Sequence, residues 1–243
     1  MSKFARRIYF LLGTLGFLPF LLIGAPIVIV AITVGGEKRG GHWAYLVMRY
    51  WSRWYSVLMG VGLQVEGAER IADTPVGILV SNHRSYWDGI ATMGGVPRDF
   101  RPLGKIEIGR IPLFGAMYRR VVVIVDRKNH ESRKHSFEEL LGLLGRGISV
   151  LIFPEGTANT SAEPLLPFKD GAFRLAIETG APVLPMVILG SSEVMSRQPV
   201  FCLWRGSVTV RFGDPIMTDG FTADSLPALR QQVEEAMLAL MDG

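Results

Sequence analysis

The longest uncharged segment of this chain constrains its fold more than any other feature. Between Ile8 and Gly36 there are 29 consecutive residues without a charged side chain or a histidine. A single straight helix of that length would measure about 43 Å, which exceeds the ~30 Å hydrocarbon core of a bilayer. Because Pro19 and Pro26 lie inside the run and proline cannot donate a backbone hydrogen bond, the sequence predicts a broken or kinked helix.

Basic residues flank both ends of this apolar run. Lys3, Arg6 and Arg7 precede it, and Lys38 and Arg39 follow it. A cleaved signal peptide requires a shorter apolar stretch and a small-residue cleavage site, which is not evident here. A single crossing would leave basic residues on both sides, whereas the positive-inside rule favours the cytoplasmic side for both. We therefore expect a membrane-embedded helical hairpin at the cytoplasmic face, with a single span as the alternative.

A second segment suited to a lipid surface follows at residues 43–55. It contains three of the five tryptophans and three of the six tyrosines. On a helical wheel, one face carries an apolar set: Trp43, Leu46, Val47, Tyr50, Trp54, Val57 and Leu58. Such a helix suits the headgroup boundary of a bilayer, or a core position against a globular domain.

The rest of the chain has the pattern of an α/β domain. Short apolar runs predict strands at residues 63–66, 77–81, 121–125, 150–153, 183–188 and 208–212. Amphipathic stretches between and after them predict helices at 88–93, 111–119, 131–144, 171–179 and 226–241. This alternation predicts a mixed, partly parallel sheet flanked by helices. We expect a membrane anchor over residues 1–60 and a globular domain over residues 61–243.

Charge and composition narrow the partners. The formal net charge of +4 favours anionic lipid surfaces, acidic carriers or nucleic acid. The aromatic residues concentrate beside the apolar run and not among basic residues of the globular part, so no nucleic-acid partner is expected. The four histidines are scattered, so no metal site is expected. The single cysteine, Cys202, excludes an intrachain disulfide.

A first group of reactive side chains follows the apolar run at residues 76–80. The segment reads Asn-His-Arg-Ser-Tyr-Trp-Asp, with His83 and Asp88 five positions apart. Histidine is the side chain best suited to accept a proton near neutral pH. A carboxylate bonded to its other ring nitrogen fixes the tautomer and stabilises the imidazolium that forms. Taken alone, this spacing also fits a purely structural His–Asp pair.

A second group follows the apolar run at residues 150–152 and reads Phe-Pro-Glu-Gly-Thr. Glycine lets a ligand approach the backbone, so Glu155, Gly156 and Thr157 are candidates for binding an acceptor's polar end. A tight turn with a solvated glutamate is the alternative interpretation. Between the two groups, Lys105 and Arg127 are candidates for binding phosphate or carboxylate, or for surface ion pairs.

The order of these motifs resembles the glycerolipid acyltransferase family, which includes bacterial lysophosphatidic acid acyltransferases. The shared pattern is NHxxxxD, then a strand ending in Asp126-Arg127, then FPEGT, then a segment rich in Pro and Val. It extends over roughly residues 62–215. The resemblance implies that the domain at 61–243 is catalytic, and that the chain acts at a membrane, the bacterial inner membrane in such relatives.

The resemblance also implies roles for individual residues. His83, oriented by Asp88, would deprotonate the acceptor hydroxyl, which attacks a fatty acyl thioester directly. Glu155, Gly156 and Thr157, with Lys105 and Arg127, would bind the lysophosphatidic acid acceptor. The donor would be acyl-CoA or an acyl carrier protein, with no further cofactor and no metal.

One position departs from the family pattern. The third motif usually reads FPEGTR, and this chain has Ala158 in place of the arginine associated with the acceptor's phosphate. Either another cation such as Lys105, Arg127 or Arg174 serves, or the acceptor is a lysophospholipid with a larger headgroup. The sequence leaves this choice open, together with the donor type and acyl-chain length.

Two other classes of protein are compatible with parts of the pattern. A lipid hydrolase would use Ser81 or Ser85 as nucleophile, but the chain has no G-x-S-x-G nucleophile elbow. A non-catalytic peripheral lipid-binding protein would need only the aromatic and basic surface, and would tolerate replacement of His83 and Asp88.

Overall fold

The computed structural model describes residues 3–74, 76–197 and 202–242. The chain forms two compact units, each built from several stretches of sequence. The first unit comprises Met1–Glu66, His83–Val96 and Ile188–Val210. The second comprises Gly67–Asn82, Pro97–Val187 and Arg211–Gly243. The proposed division into an anchor at 1–60 and a catalytic domain at 61–243 stays a prediction.

The apolar run of the first unit is helical through both of its prolines. Helix α1 spans Lys3–Pro19, a π-helical turn spans Phe20–Gly24, and α2 spans Ala25–Gly35. Pro19 has helical torsion angles, φ −58° and ψ −38°. The helix does not end at the prolines, because a π-helical turn accommodates residues that cannot donate to the preceding turn. An apolar helix within Ala5–Leu58 is long enough to cross a membrane, judged by length and composition.

The chain reverses after α2. Gly36 adopts φ 67° and ψ −170°, a conformation that a side chain would strain. A second π-helical turn spans Gly36–Gly40, and α3 follows at Gly41–Leu58 and packs against α2. The approach is close, since a Cβ atom on Gly40 would collide with the carbonyl oxygen of Ala31. The apolar run is therefore one arm and the aromatic helix α3 is the return arm, whereas the sequence predicted a hairpin within the run, with the aromatic helix as a separate element.

Helix α3 buries a face of small, aromatic and hydroxyl side chains, and it leaves its predicted apolar face outward. Its inner face packs on α4, which spans Asp88–Gly95. Arg53 donates to the carbonyl of Gly94 at 2.9 Å, and the hydroxyl of Tyr45 donates to that of Val96 at 2.8 Å. Most of the predicted apolar face is exposed, as shown by five of its members: Trp43, Tyr50, Trp54, Val57 and Leu58.

The central sheet confirms the predicted mixed α/β fold. In the described ranges the strands are β1 Val61–Glu66, β2 Ile78–Ser81, β3 Phe100–Lys105, β4 Val123–Val125, β5 Ser149–Ile152, β6 Val183–Leu189, β7 Met195–Ser196, β8 Cys202–Leu203 and β9 Gly206–Phe212. Seven of them form one sheet in the order β1-β9-β6-β2-β5-β3-β4, and β7 pairs with β8 in an antiparallel ribbon.

The middle of this sheet is parallel and fully buried. Strand β2 pairs in parallel with β5 and with β6, and β3 pairs in parallel with β5 and β4. Val80 lies opposite both Ile152 and Pro185. Strands covered on both faces are continuously apolar, which explains the unbroken apolar runs in β2 and β5. Because these two strands are parallel neighbours, they end at the same edge of the sheet.

The remaining helices are α5 Phe114–Val121, α6 His130–Gly145, α7 Gly171–Thr179, α8 Ser191–Val194 and α9 Leu226–Asp242. The sequence patterns located α4, α6, α7 and α9 within a few residues. They missed β3, α8 and the short ribbon of β7 and β8. Strand β3 contains Pro102 and Gly104, which remove the apolar alternation that marks a strand. The predicted strand at 121–125 is shorter, because Val121 closes helix α5.

Candidate active site

The motif at residues 82–88 brings His83 and Asp88 into direct contact. The segment leaves the end of β2 and turns back so that Asp88 opens helix α4. Nδ1 of His83 lies 2.8 Å from Oδ2 of Asp88. The Asp88 side chain is fully buried, while that of His83 is 23% exposed. The predicted pairing is therefore present, with an accessible imidazole on an inaccessible carboxylate.

The loop between these two residues folds around the carboxylate. The backbone amides of Arg84 and Ser85 each donate to Oδ2 of Asp88 at 2.8 Å. Three donors thus converge on one oxygen, and the N-terminus of a helix further favours a negative charge there. Asp88 is fixed by its own loop, so it can hold the imidazole ring of His83 in one orientation.

An arginine that the sequence patterns did not single out contacts the other side of the imidazole. Nη2 of Arg197 lies 2.8 Å from Nε2 of His83. A guanidinium group can only donate, so Nε2 is the accepting nitrogen of the ring. Nδ1 consequently carries the proton and donates it to Asp88. This is the tautomer that a general base needs, because its lone pair is on the nitrogen opposite the carboxylate.

No sequence signal could have identified Arg197. It lies 114 positions from His83, just after the short strand β7 and outside every motif. Its guanidinium also stacks over the ring of Tyr86, with 4.1 Å between the Cζ atom and the ring centroid.

Neither serine of the hydrolase alternative is placed as a nucleophile. The hydroxyl of Ser85 donates to the carbonyl of Met195 at 2.6 Å and accepts from the amide of Trp87 at 3.0 Å. Ser81 is fully buried and its hydroxyl donates to the carbonyl of Asn82. Both ring nitrogens of His83 are engaged by Asp88 and Arg197. The arrangement therefore does not form a Ser–His pair.

The second motif forms a braced turn in the other unit. Glu155 is 2% exposed, and its Oε2 accepts from the amide of Leu166 at 2.9 Å. The amide of Lys169 donates to the carbonyl of Pro154 at 2.8 Å. Gly156 has φ 71°, which favours glycine, whereas Thr157 is exposed. Glu155 is thus buried and bonded to the backbone, contrary to the alternative of a solvated glutamate.

Lys105 and Arg127 lie at the ends of two adjacent strands. Lys105 pairs in register with Val125, and Arg127 follows two residues later. Lys105 is exposed, but burial lowers the pKa of the Arg127 guanidinium, an effect that Tyr118 and Glu107 partly offset. Burial likewise raises the pKa of the Tyr118 hydroxyl to about 12. A cation that has lost part of its hydration binds an anion more strongly than a fully solvated one.

Arg174, the third cation considered from the sequence, is used elsewhere. On α7 it pairs with Glu178 at 2.8 Å and stacks over the ring of Phe137. No cluster of three or more potential metal-ligating side chains occurs in the ranges that the structure describes.

A sequence profile of the family described as Acyltransferase matches residues 62–189, more than half of the chain. The chain therefore belongs to this acyltransferase family, which confirms the resemblance seen in its motifs. Among curated relatives, 1-acyl-sn-glycerol-3-phosphate acyltransferase alpha of Mus musculus is 32% identical over 75% of this chain. The chloroplastic enzyme LPAT1 of Arabidopsis thaliana is 32% identical over 89% of it. The matches span 65% and 59% of those two relatives' own lengths.

The fold also matches a solved structure. The 1-acyl-sn-glycerophosphate (LPA) acyltransferase PlsC from Thermotoga maritima superposes with a TM-score of 0.83. The match covers 100% of this chain and 97% of PlsC at 22% identity. The two chains therefore share their fold over essentially their whole length.

Proposed function

We propose that this chain is a membrane-bound enzyme that transfers a fatty acyl group from a thioester to the free hydroxyl of lysophosphatidic acid, giving phosphatidic acid. The observation that carries the proposal is the imidazole of His83, whose Nδ1 is held by Asp88 and whose Nε2 is the accepting nitrogen. The activities named for the mouse and Arabidopsis relatives support the choice of reaction and acceptor.

In the proposed reaction, Nε2 of His83 takes the proton of the acceptor hydroxyl as its oxygen attacks the thioester carbonyl. The tetrahedral intermediate then collapses, the carbon–sulfur bond breaks, and the imidazolium returns the proton to the leaving thiolate. The products are the new ester and a free thiol. Asp88 stabilises the imidazolium between the two proton transfers. The reaction uses no covalent acyl-enzyme and no cofactor beyond the thioester itself.

We assign the binding of the acceptor's polar end to the residues that the family resemblance implies. Arg127, a half-buried cation, and Lys105 would contact the phosphate, while Glu155, Gly156 and Thr157 would bind the glycerol. The donor is acyl-CoA or an acyl carrier protein. A lysophospholipid with a larger headgroup is the second candidate acceptor, because Ala158 stands where the family motif has an arginine.

Membrane attachment is supported by the first unit. The apolar helix within Ala5–Leu58 is long enough to enter a bilayer, and α3 adds an exposed apolar face. The basic residues at both ends of the apolar run favour the cytoplasmic face, in bacteria that of the inner membrane. This placement would let a lipid acceptor reach the enzyme from the bilayer.

The test is acyl transfer from labelled acyl-CoA or acyl carrier protein to a panel of lysolipids by the full chain in detergent. We expect transfer to lysophosphatidic acid, and a loss of about 10²- to 10⁴-fold in His83→Ala, the usual contribution of a general base. His135→Ala, which removes an exposed histidine of α6, is the matched control.

The other outcomes discriminate between the alternatives. Transfer only to lysolipids with larger headgroups would replace the acceptor but keep the reaction. Activity that survives in His83→Ala would contradict the mechanism. Lipid binding without transfer from either donor would favour the non-catalytic protein, and thioester hydrolysis without an acceptor would favour a hydrolase.

A further inference from the structure

Arg197 is not an ordinary solvated surface arginine. Its guanidinium is half-buried, lies 2.8 Å from Nε2 of His83 and is stacked over Tyr86. Its Nε atom is buried and makes no hydrogen bond within the part of the chain that the structure describes. The carbonyl of Ser85 lies 3.5 Å from Nη2, at the limit of a hydrogen bond. None of these partners carries a negative charge.

This position conflicts with the proton transfer that the proposed function requires. The lone pair of Nε2 accepts one hydrogen, and here that hydrogen comes from Arg197. An acceptor hydroxyl can donate to Nε2 only after the guanidinium has moved away. Arg197 must therefore leave Nε2 before His83 can act as a base.

The acceptor itself can draw the guanidinium away. In lysophosphatidic acid the phosphate and the reacting hydroxyl are on adjacent carbons of glycerol, so both reach neighbouring points of the site. A phosphate offers a guanidinium two charge-assisted hydrogen bonds, which are stronger than one bond to a neutral imidazole. Binding of the acceptor would thus exchange hydrogen-bond partners. The guanidinium of Arg197 would donate to the phosphate, and the acceptor hydroxyl would donate to Nε2 of His83.

We infer that Arg197 selects the acceptor by its phosphate, holding the lone pair of His83 until an anionic lysolipid replaces that contact. This inference rests on the proposed function, since it assigns a binding role within the same site. It also accounts for Ala158, which stands where the family motif has an arginine, because Arg197 would supply the missing cation. Arg197 is a binding and specificity residue here, and His83 remains the base.

The experiment compares a charged and a neutral acceptor with the same hydroxyl. Wild type, Arg197→Gln and Arg197→Lys are assayed in detergent with lysophosphatidic acid and with monoacylglycerol, which lacks the phosphate. Arg70→Gln, which removes an exposed arginine paired with Asp214, is the control. We expect Arg197→Gln to lower kcat/KM for lysophosphatidic acid by about 10- to 100-fold, mainly through KM, the size of a charge-assisted hydrogen bond.

For monoacylglycerol, kcat/KM should rise in Arg197→Gln, because no guanidinium then competes with the acceptor hydroxyl for the lone pair of Nε2. Arg197→Lys should retain part of the preference, since it keeps the charge but loses the paired donors. Binding of lysophosphatidic acid to the donor-free proteins, measured by titration calorimetry, should weaken by the same factor in Arg197→Gln. This second measurement decides the question if monoacylglycerol transfer is too slow to follow.

An equal fall for both acceptors would show that Arg197 is only structural and would overturn the inference. Unchanged KM and unchanged binding of lysophosphatidic acid would overturn it as well. Both results leave the proposed function intact, because wild type still transfers to lysophosphatidic acid. A wild type that acylates no phosphate-bearing lysolipid would instead contradict the proposed function, and the inference with it.

Discussion

Helices α3 and α9 have similar sequence patterns, but their apolar faces lie in opposite environments. Both are amphipathic, with apolar residues spaced three or four positions apart. In α9 that face is inside, where Leu229, Val233 and Met237 are fully buried. In α3 it is outside, where Tyr50 is 67% exposed and Val57 is 77% exposed. Periodicity thus identifies a helix and its two faces, but it does not determine which face the rest of the chain covers.

The difference indicates two sources of stability. Helix α9 buries its apolar face within its own unit, as a core helix of a water-soluble protein does. Helix α3 packs internally through a second face, on which Tyr45, Met48 and Tyr55 are buried together with two serines. Hydrogen bonds such as that from Arg53 to the carbonyl of Gly94 border this face. Its predicted apolar face is exposed. The membrane attachment proposed above would bring lipid to this face, where aromatic rings suit the headgroup boundary.

The largest effect is expected in α9. Met237→Ala removes a fully buried side chain and should lower the free energy of unfolding by about 2–5 kcal/mol, as usual for cavity-forming substitutions. Urea unfolding of the protein in detergent measures this loss. Glu235→Ala, an exposed change on the same helix, is the control. If the two variants unfolded alike, α9 would not be a core helix.

A smaller effect, which depends on lipid, is expected in α3. Val57→Asp places a charge on the exposed apolar face and should cost about 2–3 kcal/mol if that face lies in a bilayer. In water a surface change of this kind stays within about 0.5 kcal/mol. The measurement is urea unfolding in phospholipid vesicles. Val57→Asn matches the aspartate in shape and should cost less; equal, small losses for both would place the face in water.

The smallest effect is expected on the inner face of α3. Ser52 is 1% exposed, and its hydroxyl has no hydrogen-bond partner in the described part of the chain. Ser52→Ala removes this unsatisfied group and should leave the free energy of unfolding unchanged or raise it by about 1 kcal/mol. Ser56 donates to the carbonyl of Ser52 at 2.9 Å, so Ser56→Ala should lose about 0.5–1.5 kcal/mol. Equal losses for the two would contradict the assignment.

The sequence predicted what short-range patterns encode. The unbroken apolar runs identified the buried strands β2 and β5, and the spacing of His83 and Asp88 anticipated a contact that a single loop can make. Strand β3 escaped detection because Pro102 and Gly104 conceal its alternation. The reversal at Gly36 was also missed, since the prolines at 19 and 26 were expected to interrupt the helix instead.

The contact of Arg197 with His83 marks the limit of such reasoning. The two residues are brought together only by the packing of distant segments, and an arginine in a short loop has no distinguishing pattern. The outward face of α3 was likewise an open alternative in the sequence, because an apolar stripe is the same whether protein or lipid covers it. Both features depend on what surrounds a residue in three dimensions.

Under the proposed function, the contact between Arg197 and His83 has a consequence for the thioester donor. An activated acyl thioester next to a free general base is exposed to water, which is small, abundant and also carries a hydroxyl. Water has no charge with which to attract a guanidinium. In the role inferred for Arg197, water therefore cannot displace the guanidinium and donate to the lone pair of Nε2. A donor that arrives before its lipid partner would be spared from hydrolysis, and the cell would not lose the activated acyl group.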